Sequence, residues 1–169
     1  MRLASLKMLL HPMSVDVYID RVIRGAKAVV VRCLGGVEYW SYGLEQLAEA
    51  ARARGILFAA LPGDYQDDPR LVEMSTVAAD DLEKLDGLMR AGGQANALRS
   101  LRFVEHLLGH GGGYEALEAV PSVVCFRPDG QTAELSTCLT CNCVKADHPV
   151  ALIVFYRAAV LAADAAPIE

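Results

Sequence analysis

The chain has 169 residues, of which 53% are hydrophobic and 22% are charged, and its net charge at pH 7 is −5. This length fits one domain, or one domain with an appendage, and the hydrophobic content is sufficient for a substantial core. Its Lys and Arg residues are scattered, which argues against nucleic acid as a partner, because binding to phosphate backbones needs grouped basic side chains.

The sequence also argues against a membrane span and a secreted protein. Its longest apolar run, residues 150–156, is far below the roughly 18 residues that cross a bilayer. A signal peptide would need a longer apolar region before His11 and Pro12. The five cysteines do not form the even-numbered framework of a disulfide-rich domain. We therefore expect a cytoplasmic protein. Its apolar excess reflects either an alanine-rich composition or a surface that meets a larger protein.

The first predicted helix covers residues 14–24. Ser14 is its predicted N-cap, and Asp16 lies where the positive end of a helix favours an acidic side chain. Apolar residues then recur at helical spacing, at Val15, Ile19, Val22 and Ile23.

A strand, a helix and a second strand follow. Residues 28–31 are a β-branched run typical of a strand that is buried on both faces. Residues 38–54 carry a helical apolar pattern that ends before Gly55, and residues 56–61 form another apolar run of strand length. This order predicts a βαβ unit with parallel strands and a right-handed crossover.

The middle of the chain is predicted to be helical. One helix starts at Thr76 or Asp80 and stops before Gly92, and a second covers residues 94–108. The second helix is expected to bury a stripe made by Leu98, Leu101, Val104 and Leu108.

The last third contains a glycine-rich linker at residues 110–113, a short strand at 122–126, and the strongest predicted strand at 150–156, with a helix from Arg157 onward. We therefore expect an α/β fold with three layers, a mostly parallel sheet flanked by helices (flavodoxin/Rossmann-like), and a helical insertion at about residues 76–108. Residues 1–113 would form this domain, and residues 114–169 would form a linker and the start of a following α/β region.

Two polar loops follow the predicted strands. Gly35 and Gly36 could hold an anion through backbone N–H groups, but neither dinucleotide nor P-loop spacing is present, and a tight turn is the favoured interpretation. In the second loop, Asp64, Asp67 and Asp68 could bind magnesium at the carboxyl edge of the sheet. The favoured alternative is a solvated turn in which Asp68 caps a helix that starts at Pro69.

The cysteines are the sharpest chemical feature. Cys138 and Cys141 have the CxxC spacing of zinc ligands, and Cys143 or His148 could complete a tetrahedral site. A strong zinc motif has two separated pairs of ligands, so the signal is incomplete. Reactive thiols or sequence drift are the alternatives. His106 and His110 are four residues apart, but glycines follow immediately, and a capping or surface role is favoured for His11. The sequence offers no self-contained catalytic constellation.

The order of several short segments resembles the start of the large subunit of aerobic cobaltochelatase, a relative of the magnesium chelatase large subunit. These segments are residues 11–18 (HPMSVDVY), 29–36 (VVVRCLGG), 39–43 (YWSYG), 61–64 (LPGD), Asp68–Pro69, Ser75–Thr76, Gly92–Gly93 with Asn96, 150–158 (VALIVFYRA) and 164–168 (DAAPI). Residues 114–148 match least. Family members carry a further strand upstream of residue 2, and a polar stretch where Cys138–Cys143 stand.

The resemblance implies a much longer protein that works with two smaller AAA-type subunits, which hydrolyse ATP. It implies that the large subunit holds a corrin precursor, hydrogenobyrinic acid a,c-diamide, while the substrate Co²⁺ is inserted. The present segment would act as a scaffold without catalytic residues or a tightly bound cofactor. Arg157 and His11 would contact the corrin, with Arg157 meeting a carboxylate side chain. The alternatives are an interaction module derived from the family and a small thiol-metal protein.

Overall fold

The computed structural model describes residues 1–119, 125–126 and 132–133. This part of the chain is a mixed α/β structure with five α-helices and a two-stranded parallel sheet. A short antiparallel pair joins β3 (Cys125–Phe126) to β4 (Thr132–Ala133). The predicted strand at 150–156 and the helix after it lie outside the described residues, as do the cysteine cluster and Arg157.

The first helix, α1, spans Pro12–Arg21 and starts earlier than predicted. The expected N-cap, Ser14, is wrong, because His11 takes that position and its Nδ1 accepts a hydrogen bond from the Met13 N–H at 3.2 Å. Pro12 fits the first helical position because its fixed φ is already helical and no N–H is needed there. The helix also ends earlier, and residues Ile23–Gly25 form a 3₁₀ turn.

The predicted parallel βαβ unit is confirmed. Strand β1 (Ala28–Cys33) pairs with β2 (Leu57–Pro62), with Ala28 opposite Leu57 and Cys33 opposite Pro62. Helix α2 (Ser41–Arg54) connects them and ends at Gly55 in the left-handed conformation with φ 65°.

Helix α2 starts three residues later than predicted, after a separate 3₁₀ turn at Val37–Tyr39. Trp40 breaks the helical path, with φ −149° and ψ 43°. Its indole is buried and donates a hydrogen bond from Nε1 to the Leu9 carbonyl at 2.8 Å. Because the indole is buried with its N–H hydrogen-bonded, Trp40 leaves the helical conformation and separates the 3₁₀ turn from α2.

Three further helices follow β2. They are α3 (Pro69–Met74), α4 (Ala79–Ala91) and α5 (Gly93–Leu107). Neither Thr76 nor Asp80 starts α4. Thr76 instead lies on the outer edge of β2, where its Oγ1 accepts a hydrogen bond from Phe58 N–H and donates to the Ile56 carbonyl.

The Ser75–Thr76 pair therefore covers the outer edge of β2. Ser75 Oγ accepts from the Ala60 N–H at 2.9 Å and donates to the Leu71 carbonyl. These hydroxyls satisfy backbone groups that a neighbouring strand would otherwise pair with, which protects the edge against unwanted association.

Side chains of the two strands pack into two separate apolar clusters. The first joins residues of α1, α2 and α3 to alternate residues of the strands, and its members include Val15, Val31, Cys33, Leu44, Leu47, Ala48, Ala51, Phe58, Ala60 and Leu71. The second contains residues of α4 and α5 and the intervening strand positions, namely Ala59, Leu61, Leu82, Leu85, Leu88 and Phe103. Because strand side chains alternate between faces, β2 is buried on both sides. In β1, for which the sequence predicted burial on both faces, residues 28–30 are half-buried and Val31 is fully buried.

The predicted apolar stripe of α5 is wrong in its first half. Leu98 and Leu101 are exposed, whereas Asn96, Ser100 and Phe103 are buried. The physical reason is a hydrogen-bonded contact with the chain that follows the helix, since Asn96 bonds both the N–H and the carbonyl of Glu118 at 2.8 Å. A polar side chain that is hydrogen-bonded can therefore be buried on the helix, even though the spacing of the leucines predicts that a different face is buried.

Among the described residues, no helix is both long enough and apolar enough to cross a membrane.

Candidate functional site

Two loops lie side by side where β1 and β2 end, at the carboxyl edge of the sheet. Loop A, residues 34–40, follows β1, and loop B, residues 63–68, follows β2. They pack closely, because a Cβ atom on Gly63 would lie 2.6 Å from the backbone nitrogen of Leu34. Ligands of open α/β sheets bind at this edge, which makes the loop pair the candidate functional site.

The backbone N–H groups of loop A are occupied by carboxylates of loop B. Gly35 N–H donates to Asp64 Oδ2 at 3.2 Å, and Val37 N–H donates to Asp68 Oδ2 at 3.0 Å. These groups point where a phosphate would have to bind, and the protein's own acids take the place of such an anion. The structure therefore supports the tight-turn interpretation of Gly35–Gly36.

Asp68 is the centre of this network. It caps α3 by accepting from Arg70 N–H at 3.1 Å, with Pro69 at the first helical position, as the sequence predicts. The Arg70 guanidinium bonds both Asp68 oxygens and also Glu38 Oε1 of loop A. The side-chain hydrogen bond from Arg70 and the backbone hydrogen bond from Val37 lower the pKa of Asp68 to about 2.

The depressed pKa of Asp68 predicts a loss of stability in acid. A carboxylate whose pKa is lower in the folded than in the unfolded chain stabilises the fold above its unfolded pKa, near 4, and loses this effect as pH falls towards 2. Asp68→Asn keeps a competent N-cap but removes the charge. We expect urea denaturation to show a stability gap between wild type and Asp68→Asn at pH 6 that shrinks steadily below pH 4. Asp20→Asn, an exposed change on α1, is the control and a gap that does not depend on pH would contradict the prediction.

Arg90 links loop B to α4, the helix that packs in the second apolar cluster. It pairs with Asp67 at 2.9 Å and with Asp86, four residues earlier on α4, at 2.5 Å. Its guanidinium also lies 5.8 Å from the ring centroid of Tyr65, over the face of the ring. Burial raises the pKa of Asp86 against the opposing effect of Arg90 and Arg32.

The magnesium interpretation of the loop B acids gains no support. Asp64 and Asp68 are engaged with loop A, and Asp67 is paired with Arg90. In the portion of the chain that the structure describes, no group of three His, Cys, Asp or Glu side chains is placed to hold a metal ion.

The histidines that the structure describes, and the cysteine at the end of β1, show no catalytic arrangement. His11 acts as a helix cap, as the favoured interpretation holds. His106 lies in the last turn of α5, and His110 lies beyond its end, so the two do not share a helix face. Cys33 is fully buried, which raises the pKa of its thiol to about 11 and makes it a poor nucleophile.

The ion pairs that link each loop to a later helix have no local signal in the sequence. Arg70 and Glu38 are 32 residues apart, and Arg90 and Asp67 are 23 residues apart. The i,i+4 spacing of Asp86 and Arg90 on α4 is a local signal from which their ion pair could have been predicted.

Comparisons with known proteins identify the family of this α/β segment. The chain is 34% identical over 167 residues to the aerobic cobaltochelatase subunit CobN of Pseudomonas aeruginosa, covering 98% of this chain and 13% of that protein. It is 50% identical over 97 residues to the same subunit of Sinorhizobium sp., covering 57% of this chain and 8% of that protein. No family model matches the sequence.

A solved structure has the same fold over most of the chain. The catalytic subunit of cobaltochelatase from Mycobacterium tuberculosis superposes with a TM-score of 0.57 at 24% identity, covering 73% of this chain and 12% of that one. The chain belongs to the family of the cobaltochelatase large subunit, CobN, and spans a small part of the length of its relatives.

Proposed function

We propose that this chain is a scaffold segment of a cobaltochelatase large subunit and contributes to holding the corrin precursor during cobalt insertion. The supporting observation is the 34% identity that extends over 98% of the chain. Hydrogenobyrinic acid a,c-diamide is the proposed ligand and Co²⁺ the proposed metal substrate. The proposed partners are the remainder of the large subunit and two AAA-type subunits that hydrolyse ATP, all in the cytoplasm.

The proposed architecture is a three-layer, flavodoxin/Rossmann-like domain over residues 1–113, followed by a linker and the start of another α/β region. The two apolar clusters, which take alternate side chains of β2, support the layering. The paired loops support a scaffold role, because the Gly35 and Val37 N–H groups of loop A donate to the Asp64 and Asp68 carboxylates of loop B and fasten the two loops together.

Arg157 and His11 remain the proposed corrin contacts. Arg157 supplies a fixed charge that matches a carboxylate of the macrocycle. His11 uses Nδ1 to accept the Met13 N–H, so Nε2 is the atom that would meet the ligand.

The test is a titration of the 169-residue chain with hydrogenobyrinic acid a,c-diamide, followed by corrin absorbance and by the fluorescence of the single Trp. Micromolar, saturable binding that weakens about tenfold in Arg157→Ala would support the proposal, since loss of one charge-assisted pair costs about 1.4 kcal/mol or more. No saturation with a sample that is folded by circular dichroism would contradict the corrin-binding role.

Two matched variants distinguish residues that contact the corrin from residues that only stabilise the fold. Arg54→Ala removes an exposed arginine at the end of α2 and should leave corrin affinity unchanged. His11→Asn keeps a good N-cap while it removes the imidazole, so weaker binding with unchanged stability would assign Nε2 to the ligand.

A further inference from the structure

Residues 114–118 lie as a strap along α5, after the glycine-rich loop that ends this helix. They form neither helix nor strand, and each of them is exposed. The Glu118 N–H donates to Asn96 Oδ1, and the Glu118 carbonyl accepts from Asn96 Nδ2, both at 2.8 Å. At the other end of the strap, the Tyr114 ring meets the Phe103 ring edge-on, with the centroids 5.5 Å apart. The first residues of the predicted linker are therefore docked on the domain.

Ion pairs at the protein surface hold the strap to α5. Arg99 pairs with Glu118 at 2.9 Å and with Glu115 at 3.6 Å, and Arg102 pairs with Glu115 at 3.2 Å. The side chains of Glu115 and Glu118 are 47% and 60% exposed. Ion pairs in such contact with water are weak and are screened by salt, so this attachment can be broken at low cost.

The domain does not need the strap to complete its core. Tyr114 and Leu117, the large apolar side chains of the strap, are 42% and 45% exposed. Among the described residues, those of the second apolar cluster come from the strands and from α4, α5 and the residues just before α4. The group beneath the strap is Asn96, which is polar and keeps its bond to the Gly92 carbonyl when the strap leaves. Water can then replace Glu118, so opening leaves no buried polar group without a partner.

The loop before the strap is built to bend. Gly109 and Gly111 have φ values of 80° and 87°, in the left-handed region that favours glycine. A Cβ atom at either position would meet no other atom within 4 Å. Because the loop is not packed against its surroundings at these two glycines, its backbone can rotate there without disturbing the domain.

We propose that residues 114–118 are a releasable strap, which swings out as a unit about the glycine-rich loop while α4 and α5 stay folded. When the strap is docked, its bonds to α5 fix the point at which the chain leaves the domain. When it is released, residues 109–118 span at most about 35 Å in full extension. The strap thus switches the following part of the chain between a fixed position and a tether of that length.

The test measures amide hydrogen exchange of the 169-residue chain by NMR, at several urea concentrations below the unfolding transition. The protection factor of the Glu118 N–H should be at least about tenfold lower than those of Leu85 and Leu88 in α4, because the strap opens without unfolding the domain. Its exchange rate should hardly change with urea, since a local opening exposes little surface, whereas the α4 amides should accelerate steeply. Raising NaCl from about 50 mM to about 500 mM should speed Glu118 exchange about threefold, because salt screens the ion pairs.

Arg102→Gln removes the ion pair with Glu115 and should speed exchange of the Glu118 N–H about two- to fivefold, as loss of an exposed ion pair does. Arg54→Gln makes the same change at the exposed end of α2 and should leave the Glu118 rate as in wild type. A Glu118 amide with the protection factor and urea dependence of α4 would overturn the proposal, because the strap would then open only with the whole domain. A Glu118 amide without protection would also overturn it, because the strap would then have no docked state.

Discussion

Gly43→Ala is expected to lower the free energy of unfolding by about 3 kcal/mol, the upper part of the range for overpacking a core. A Cβ atom at this position would lie 2.0 Å from Cε2 of Trp40. The indole has no room to withdraw, because it is buried and its Nε1 is bonded to the Leu9 carbonyl. Urea denaturation followed by fluorescence reports the change directly, since Trp40 is the single Trp of the chain.

The matched control is Gly87→Ala on α4. There a Cβ atom would meet only the Leu117 side chain, at an ordinary 3.9 Å. Alanine is favoured over glycine in a helix by up to about 1 kcal/mol, so this variant should be as stable as wild type or more stable. Equal effects at the two positions would show that close packing against Trp40 does not explain the result.

The elements that could be predicted from the sequence are those whose apolar residues repeat regularly. Helix α2 buries Leu44, Leu47, Ala48 and Ala51, as its 3.6-residue pattern requires, and both strands of the βαβ unit were located to within two residues. The cap at Asp68 was also found, because Asp followed by Pro is a local signal.

The features that could not be predicted depend on contacts between distant residues. Nothing in the local pattern shows that Thr76 Oγ1 accepts a hydrogen bond from the edge of β2, or that Asp64 accepts one from the Gly35 N–H of loop A. The α5 stripe failed for the same reason, since Asn96 is buried by the segment that contains Glu118. Long-range hydrogen bonds can reverse what the local hydrophobic pattern favours.

These features also explain why the candidate site was only partly anticipated. The sequence placed Asp64, Asp67 and Asp68 at the carboxyl edge, but their electrostatic role depends on which cations fold against them. Arg70 and Arg90 arrive from helices that follow in the chain. The same acids that could bind magnesium in isolation therefore brace two loops in the folded protein.

Asn96→Asp is expected to destabilise the chain by about 3 kcal/mol at pH 7, the cost of leaving buried acceptors unpaired beside a charge. Asn96 is buried, and its Nδ2 donates to the carbonyls of Gly92 and Glu118, both at 2.8 Å. The introduced carboxylate would face these two carbonyl oxygens without a proton to share. The carboxylate could still accept a hydrogen bond from the Glu118 N–H, and Arg99, whose Nη1 lies 3.5 Å from Asn96 Oδ1, would attract it. The loss of stability is therefore smaller than that caused by an isolated buried charge.

The pH dependence separates this mechanism from a simple loss of packing. Burial and the facing carbonyls should raise the pKa of the new acid in the folded chain, so its destabilising effect is largest at neutral pH and declines as pH falls towards 4. Gln94→Glu makes the same amide-to-acid change at an exposed position in the first turn of α5, where an acidic group is mildly favourable. Urea denaturation of wild type, Asn96→Asp and Gln94→Glu at pH 7 and pH 4 measures the change in stability. Hydrogen exchange of residues 114–119 measures how firmly that segment is held. Because Asn96 holds this segment against α5, its amides should exchange faster in Asn96→Asp alone. A variant as stable as wild type, with unchanged exchange there, would show that the Asn96 contact does not secure the segment.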